Sequence, residues 1–179
     1  MITLKFGGTS MANARRILSS ADMTDCTVIK MMALTENLEL IHESGEASHT
    51  HTHKEEYDEH VWTSLKNAEL ICERITAALA EKDGDNKAFY EDNFNSFNNE
   101  LSALSEKFSS LSEKADGKTF IIADRFPLLY LFNEFSLSYD AAFPGCSAQS
   151  EVNPVKLSYL LEKTQELECC KGVFYWEPQ

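Results

Sequence analysis

The sequence has no surplus of basic residues: sixteen Lys and Arg stand among twenty-nine Asp and Glu, for a formal net charge of −13. Nucleic-acid binding is excluded on that ground, because holding a polyphosphate takes clustered cations. An acidic surface keeps a protein in solution and also raises the local concentration of cations, so charge alone does not choose a function. Cysteine offers no framework either. Cys26, Cys72, Cys146, Cys169 and Cys170 are odd in number and include no C-x-x-C pair, which leaves no disulfide set and no redox motif to read. They read as free thiols; the adjacent Cys169 and Cys170 have the donors for a soft metal, but vicinal cysteines near a terminus are usually incidental. No apolar run is long enough to span a membrane. Met1 to Ser10 lacks the basic, apolar and small-residue succession of an export signal, so the residues as they stand predict a cytoplasmic chain. No serine occupies a G-x-S-x-G elbow and no cysteine a nucleophile's context, which removes the basis for nucleophilic catalysis. There is no internal repeat.

What is present is enough apolar surface, 43% of residues, for one domain or part of a larger one. Ile2 to Phe6 alternates as a short strand, Gly7-Gly8-Thr9-Ser10 breaks it, and a helical run follows to about Ala21. Val28 to Leu40 is apolar without a clean period. The stretch from Glu43 to Glu59, dominated by His, Glu, Ser and Thr, predicts a mobile loop. Thr63 or Ser64 then caps a helix with Ala68, Ile71, Cys72, Ile75, Ala78 and Leu79 on one face, ended by Lys82-Asp83-Gly84-Asp85. From Asn86 to about Ala115, apolar residues recur at steps of three and four, the pattern of one amphipathic helix reaching roughly 45 Å at 1.5 Å per residue. Such a rod suits a strut between two lobes.

Beyond Asp116-Gly117 the pattern turns α/β. Thr119 to Ala123 reads as a buried strand, Pro127 to Phe135 as a helix, Leu137 to Phe143 as a strand, Pro154 to Leu167 as a helix and Gly172 to Trp176 as a further strand. Alternation of this kind implies a parallel sheet, which presents ligands at the carboxyl ends of its strands. Asp124 and Arg125 stand at such an end.

The densest chemical cluster is His49, His51 and His53, followed by Lys54-Glu55-Glu56 and then Asp58, Glu59 and His60. Imidazoles among carboxylates suit a borderline cation such as zinc. A mobile loop would bind weakly, because capture would have to order it. His60 differs: it falls where order returns, beside Trp62 and just before a helix cap, although a lone histidine beside a tryptophan also fits simple packing. Asp124 offers a hard oxygen, or alternatively an ion pair with Arg125 or a cap near Pro127. Lys5-Phe6-Gly7-Gly8-Thr9-Ser10 lets backbone N–H groups approach an anion, but it is not a Walker sequence.

Tyr57-Asp58-Glu59-His60-Val61-Trp62-Thr63-Ser64-Leu65-Lys66-Asn67-Ala68 resembles the segment that carries a metal-binding histidine in the metal-specific solute-binding lipoproteins of ABC importers. Asp124-Arg125-Phe126-Pro127 and Ala141-Ala142-Phe143-Pro144-Gly145-Cys146-Ser147-Ala148 are similar to later motifs of one branch of that family. The resemblance covers about residues 28–176. It implies an α/β fold of two lobes joined by one long helix, with an incomplete parallel-sheet second lobe here. It also implies zinc or manganese capture between the lobes, delivery to a membrane permease, an extracytoplasmic location and no enzymatic activity. His60 would be the ligand from the first lobe. Asp124 lies one residue before the position where relatives place a ligand, and His49, His51 and His53 would be weak recruiters. An earlier histidine and a late acidic ligand of the family have no counterpart, so the chain reads as incomplete. Met1 to about Met23, through Lys5-Phe6-Gly7-Gly8-Thr9-Ser10, resembles the opening of an aspartokinase; a truncated ATP-binding fragment or a non-functional fusion is the alternative reading. The expected divisions are 1–24, a remnant first lobe over 25–84, the linking helix over 85–116 and a partial second lobe over 117–179.

Overall fold

The computed structural model describes residues 27–35, 38–39, 57–143 and 154–166. The strand-turn-helix expected over 2–21, the loop histidines His49, His51 and His53, the strand expected over 172–176, and all cysteines but Cys72 lie outside the described residues.

Among the described residues the first α-helix is introduced by Ser64, whose backbone is extended and whose hydroxyl accepts from the Asn67 N–H at 3.1 Å. Helix α1 runs Leu65–Lys82. Its start is held twice more: the Asn67 side chain donates to the Val61 carbonyl at 3.0 Å, and the Glu134 carboxylate accepts from the Leu65 N–H at 2.8 Å. A carboxylate there complements the positive end of the helix dipole. The helix buries Ile71 and Ala78 and leaves Cys72 half-buried, where desolvation pushes its thiol up. After Asp83 a 3-10 turn, Gly84–Asn86, reverses the chain. Helix α2 follows over Lys87–Lys114, 28 residues or about 42 Å. It returns along α1, with the Asn98 side chain donating to Glu69 at 2.8 Å.

Tyr90, Phe94, Phe97, Leu101, Leu104, Phe108 and Leu111 recur on α2 at the expected steps, yet no residue of this helix is buried. Phe97 and Leu111 each keep 44% of their surface exposed. Period and burial thus part company: the stripe is written for a neighbour on more of its length than the described residues cover.

Two parallel strands follow, β1 (Thr119–Ile122) and β2 (Ser138–Ala141), paired from Thr119 with Ser138 to Ile122 with Ala141. The parallel arrangement agrees with the strand-helix alternation. The expectation of a buried first strand does not hold, since Thr119 and Phe120 are exposed and Ile121 and Ile122 only partly covered. Among the described residues β1 has a neighbouring strand on one side alone.

Between the strands lies α3, Leu129–Glu134. Six residues cannot sustain a helix on propensity, and tertiary packing holds it: Leu129, Tyr130, Leu131 and Phe132 are all buried. Phe126, Leu129, Leu131, Phe132, Phe135 and Leu137 form one core, against which Phe108 and Ile122 pack. Tyr130 points the other way, into a second core with Val61 and Ile71, covered by Met31, Met32 and Leu34. The helix closes with the Leu137 N–H on the Phe132 carbonyl at 2.9 Å and the Ser136 N–H on Asn133 at 3.2 Å, which puts Ser136 at a φ of 51°. That is a Schellman cap with serine in the left-handed position glycine prefers. Ser136→Gly is therefore expected to stabilise the protein by about 0.5–1 kcal/mol, read as a melting temperature higher by roughly 1–4 °C for a chain of this size.

Helix α4, Pro154–Glu166, is tied to β2 through Asp140, which accepts from Lys163 at 2.6 Å and Lys156 at 3.4 Å. Burial pushes the Asp140 carboxyl up, but the Lys163 hydrogen bond and the two ammonium charges outweigh it and hold it below the usual carboxylate range. A carboxyl depressed in the folded state adds stability above its unfolded value of about 3.9 and loses it as pH falls through the folded value. The gap in urea midpoint between wild type and Asp140→Asn should accordingly be full near neutrality and close as the pH drops below about 4.

Candidate metal site around His60

His60 is held from several sides. Val61, with no exposed surface, plugs into the second core and fixes the chain one residue later. The Thr63 N–H and hydroxyl donate to the His60 carbonyl at 3.0 and 2.8 Å. Asp58 is 1% exposed, and its Oδ1 accepts from both the His60 backbone N–H and the ring Nδ1, each at 2.7 Å. The other carboxylate oxygen, Oδ2, is buried without a hydrogen-bond partner among the described residues. The His60 ring lies 5.3 Å from that of Trp62, tilted by 57°, and keeps 19% of its side-chain surface exposed. Nε2 is the remaining ring nitrogen.

Asp58 is fixed in turn. Its N–H donates to the Glu39 carbonyl at 3.0 Å, and its own carbonyl accepts from the Tyr130 hydroxyl at 2.8 Å. The same hydroxyl accepts from the Glu39 N–H at 3.1 Å, so one phenol joins three distant parts of the chain. Burial is the main reason the Tyr130 phenol is pushed up, opposed by the Glu39 N–H and aided by the Asp58 charge. It keeps its proton and remains a donor.

Asp124 occupies a different setting. It is exposed, and its Oδ1 accepts from the Arg125 N–H at 2.7 Å. The expected cap near Pro127 is not what it forms, because α3 starts at Leu129 behind Leu128, with no side-chain cap. Among the described residues no group of three or more His, Cys, Asp or Glu side chains is placed to hold a metal ion.

In the sequence Asp58 stands in the chemical cluster with His60 but without a role of its own, and Tyr130 falls unremarked inside the helix expected over Pro127 to Phe135; the structure makes both supports of His60. The available signal was the D-x-H spacing, since a short Asp side chain reaches the N–H two residues on.

The solved structure of the AdcAII protein of Streptococcus pneumoniae superposes with a TM-score of 0.69 at 23% identity, over 93% of this chain and 58% of that one. A second, the metal-dependent lipoprotein YcdH of Bacillus subtilis, superposes with a TM-score of 0.51 at 29% identity, over 63% of this chain and 41% of its own. The chain thus shares the fold of part of each of these two proteins. The family described as "Zinc-uptake complex component A periplasmic" matches residues 5–175, and the chain belongs to it. That match runs through Lys5 to Met23, the stretch with the aspartokinase resemblance. Among curated relatives, the metal ABC transporter substrate-binding lipoprotein SsaB of Streptococcus sanguinis is 28% identical over 141 residues, 75% of this chain and 42% of the relative. The high-affinity zinc uptake system protein ZnuA of Bacillus subtilis is 32% identical over 120 residues, 67% of this chain and 36% of the relative. The chain therefore spans about two-fifths of the length of these curated relatives. Among the described residues no helix is long and apolar enough to cross a membrane.

Proposed function

We propose that this chain captures a divalent cation, zinc with manganese as the alternative, for delivery to the membrane permease of an ABC importer outside the cytoplasm, and that it is not an enzyme. The carrying observation is the anchored imidazole of His60, oriented through Nδ1 with Nε2 left for a metal. Relatives named for zinc uptake and for manganese transport support the reading. Imidazole is zinc's preferred nitrogen donor, which favours zinc over manganese. Asp124 is the proposed oxygen donor, and His49, His51 and His53 recruit the ion without gripping it. In this reading residues 25–84 belong to the first lobe, 85–116 to the linking helix and 117–179 to the second lobe. Calorimetric titration of the metal-free protein with zinc chloride and with manganese chloride tests it. One zinc per chain, bound more tightly than manganese, is expected; absence of saturable binding by either ion would remove the proposal.

A further inference from the structure

We propose that Asp58 is the positioning residue of this site: it accepts a hydrogen bond from the Nδ1–H of His60 and so fixes the neutral imidazole in the tautomer whose Nε2 carries the free lone pair. The inference rests on the reading of His60 as a metal ligand. It begins from the double use of one oxygen. Asp58 Oδ1 lies 2.7 Å from the His60 backbone N–H and 2.7 Å from the ring Nδ1. A carboxylate offers only acceptors, so the ring nitrogen that faces it must bring the proton. In neutral imidazole one nitrogen donates and the other accepts. The bond to Nδ1 thus assigns the lone pair to Nε2.

A purely local role for Asp58 would need less. An aspartate that only shapes the turn is satisfied by the N–H two residues on; it has no need of the ring, nor of burial. Asp58 is 1% exposed, and its Oδ2 is buried without a partner among the described residues. A buried carboxylate is expensive unless an opposite charge compensates it. A cation on Nε2 would supply that charge through the imidazole, the carboxylate-histidine-metal order found in metal sites generally. The Asp58 backbone is itself held on both sides, by the Tyr130 hydroxyl and the Glu39 carbonyl.

The test uses the metal-free full chain at about pH 8, above the ordinary imidazole range. Long-range proton-nitrogen NMR should find Nδ1 of His60 protonated and Nε2 unprotonated in wild type. Asp58→Asn, whose amide oxygen still accepts, should retain that tautomer. Asp58→Ala should give a tautomer mixture and a zinc Kd higher by about 10–100-fold, with Asp58→Asn lying between it and wild type. A protonated Nε2 in wild type would overturn the assignment, as would an Asp58→Ala variant with unchanged tautomer and Kd. Should Asp58→Ala not fold, the wild-type ring signals and the Asp58→Asn titration decide. Wild type that binds no zinc refutes the ligand reading of His60, whereas wild type that binds zinc no better than Asp58→Ala refutes the positioning role alone.

Discussion

His60→Ala is expected to weaken zinc binding by at least about 100-fold, since outer partners that merely orient a ligand are already worth roughly 10–100-fold. In free energy that is about 2.8 kcal/mol or more. The fold should survive: the ring is partly exposed, and Asp58 Oδ1 would keep its bond from the residue-60 N–H. A melting curve close to wild type alongside a collapsed titration is therefore the expected pair of results. Replacing His49, His51 and His53 together should cost only a few-fold, because the sequence around them predicts a loop that capture would have to order. The opposite ranking, with the triple variant losing zinc and His60→Ala keeping it, would move the binding site out of the anchored segment altogether.

Phe126→Ala should produce the largest loss of stability, about 3–5 kcal/mol out of a total of roughly 5–15 for an ordinary domain. Phe126 is 1% exposed, meets Phe132 edge-on at 5.0 Å and lies 4.2 Å from the Tyr139 ring. It therefore fills the space between α3 and β2, and removing six ring carbons leaves a cavity that a short helix cannot collapse into. Urea denaturation measures this as a lower midpoint at unchanged slope. A shift below about 1 kcal/mol would mean that the aromatic cluster is not packed as described.

The elements legible from the sequence are those with a strong local signal. Ser64 announces α1 through its cap, and the three-and-four spacing from Tyr90 to Leu111 announces α2; both are found within a residue or two of the expected bounds. The parallel pairing of β1 and β2 followed from the strand-helix alternation. Burial was less legible, because it depends on neighbours: an apolar run such as Thr119 to Ile122 reads as interior whether or not a second strand covers it. At the site, His60 stood out by residue type and by its place at the end of an irregular stretch. Its supports did not, since the Tyr130 hydroxyl reaches Asp58 across 72 residues and no local pattern records that contact.

The six residues of α3 serve two masters. Leu129, Leu131 and Phe132 belong to the core beneath the sheet, and Tyr130 to the one behind His60. Sequence drift inside the sheet therefore does not stay there; any shift of that hexapeptide moves the phenol that steadies the imidazole's neighbour. Selection on the proposed ion capture would in this way also police residues that never approach an ion.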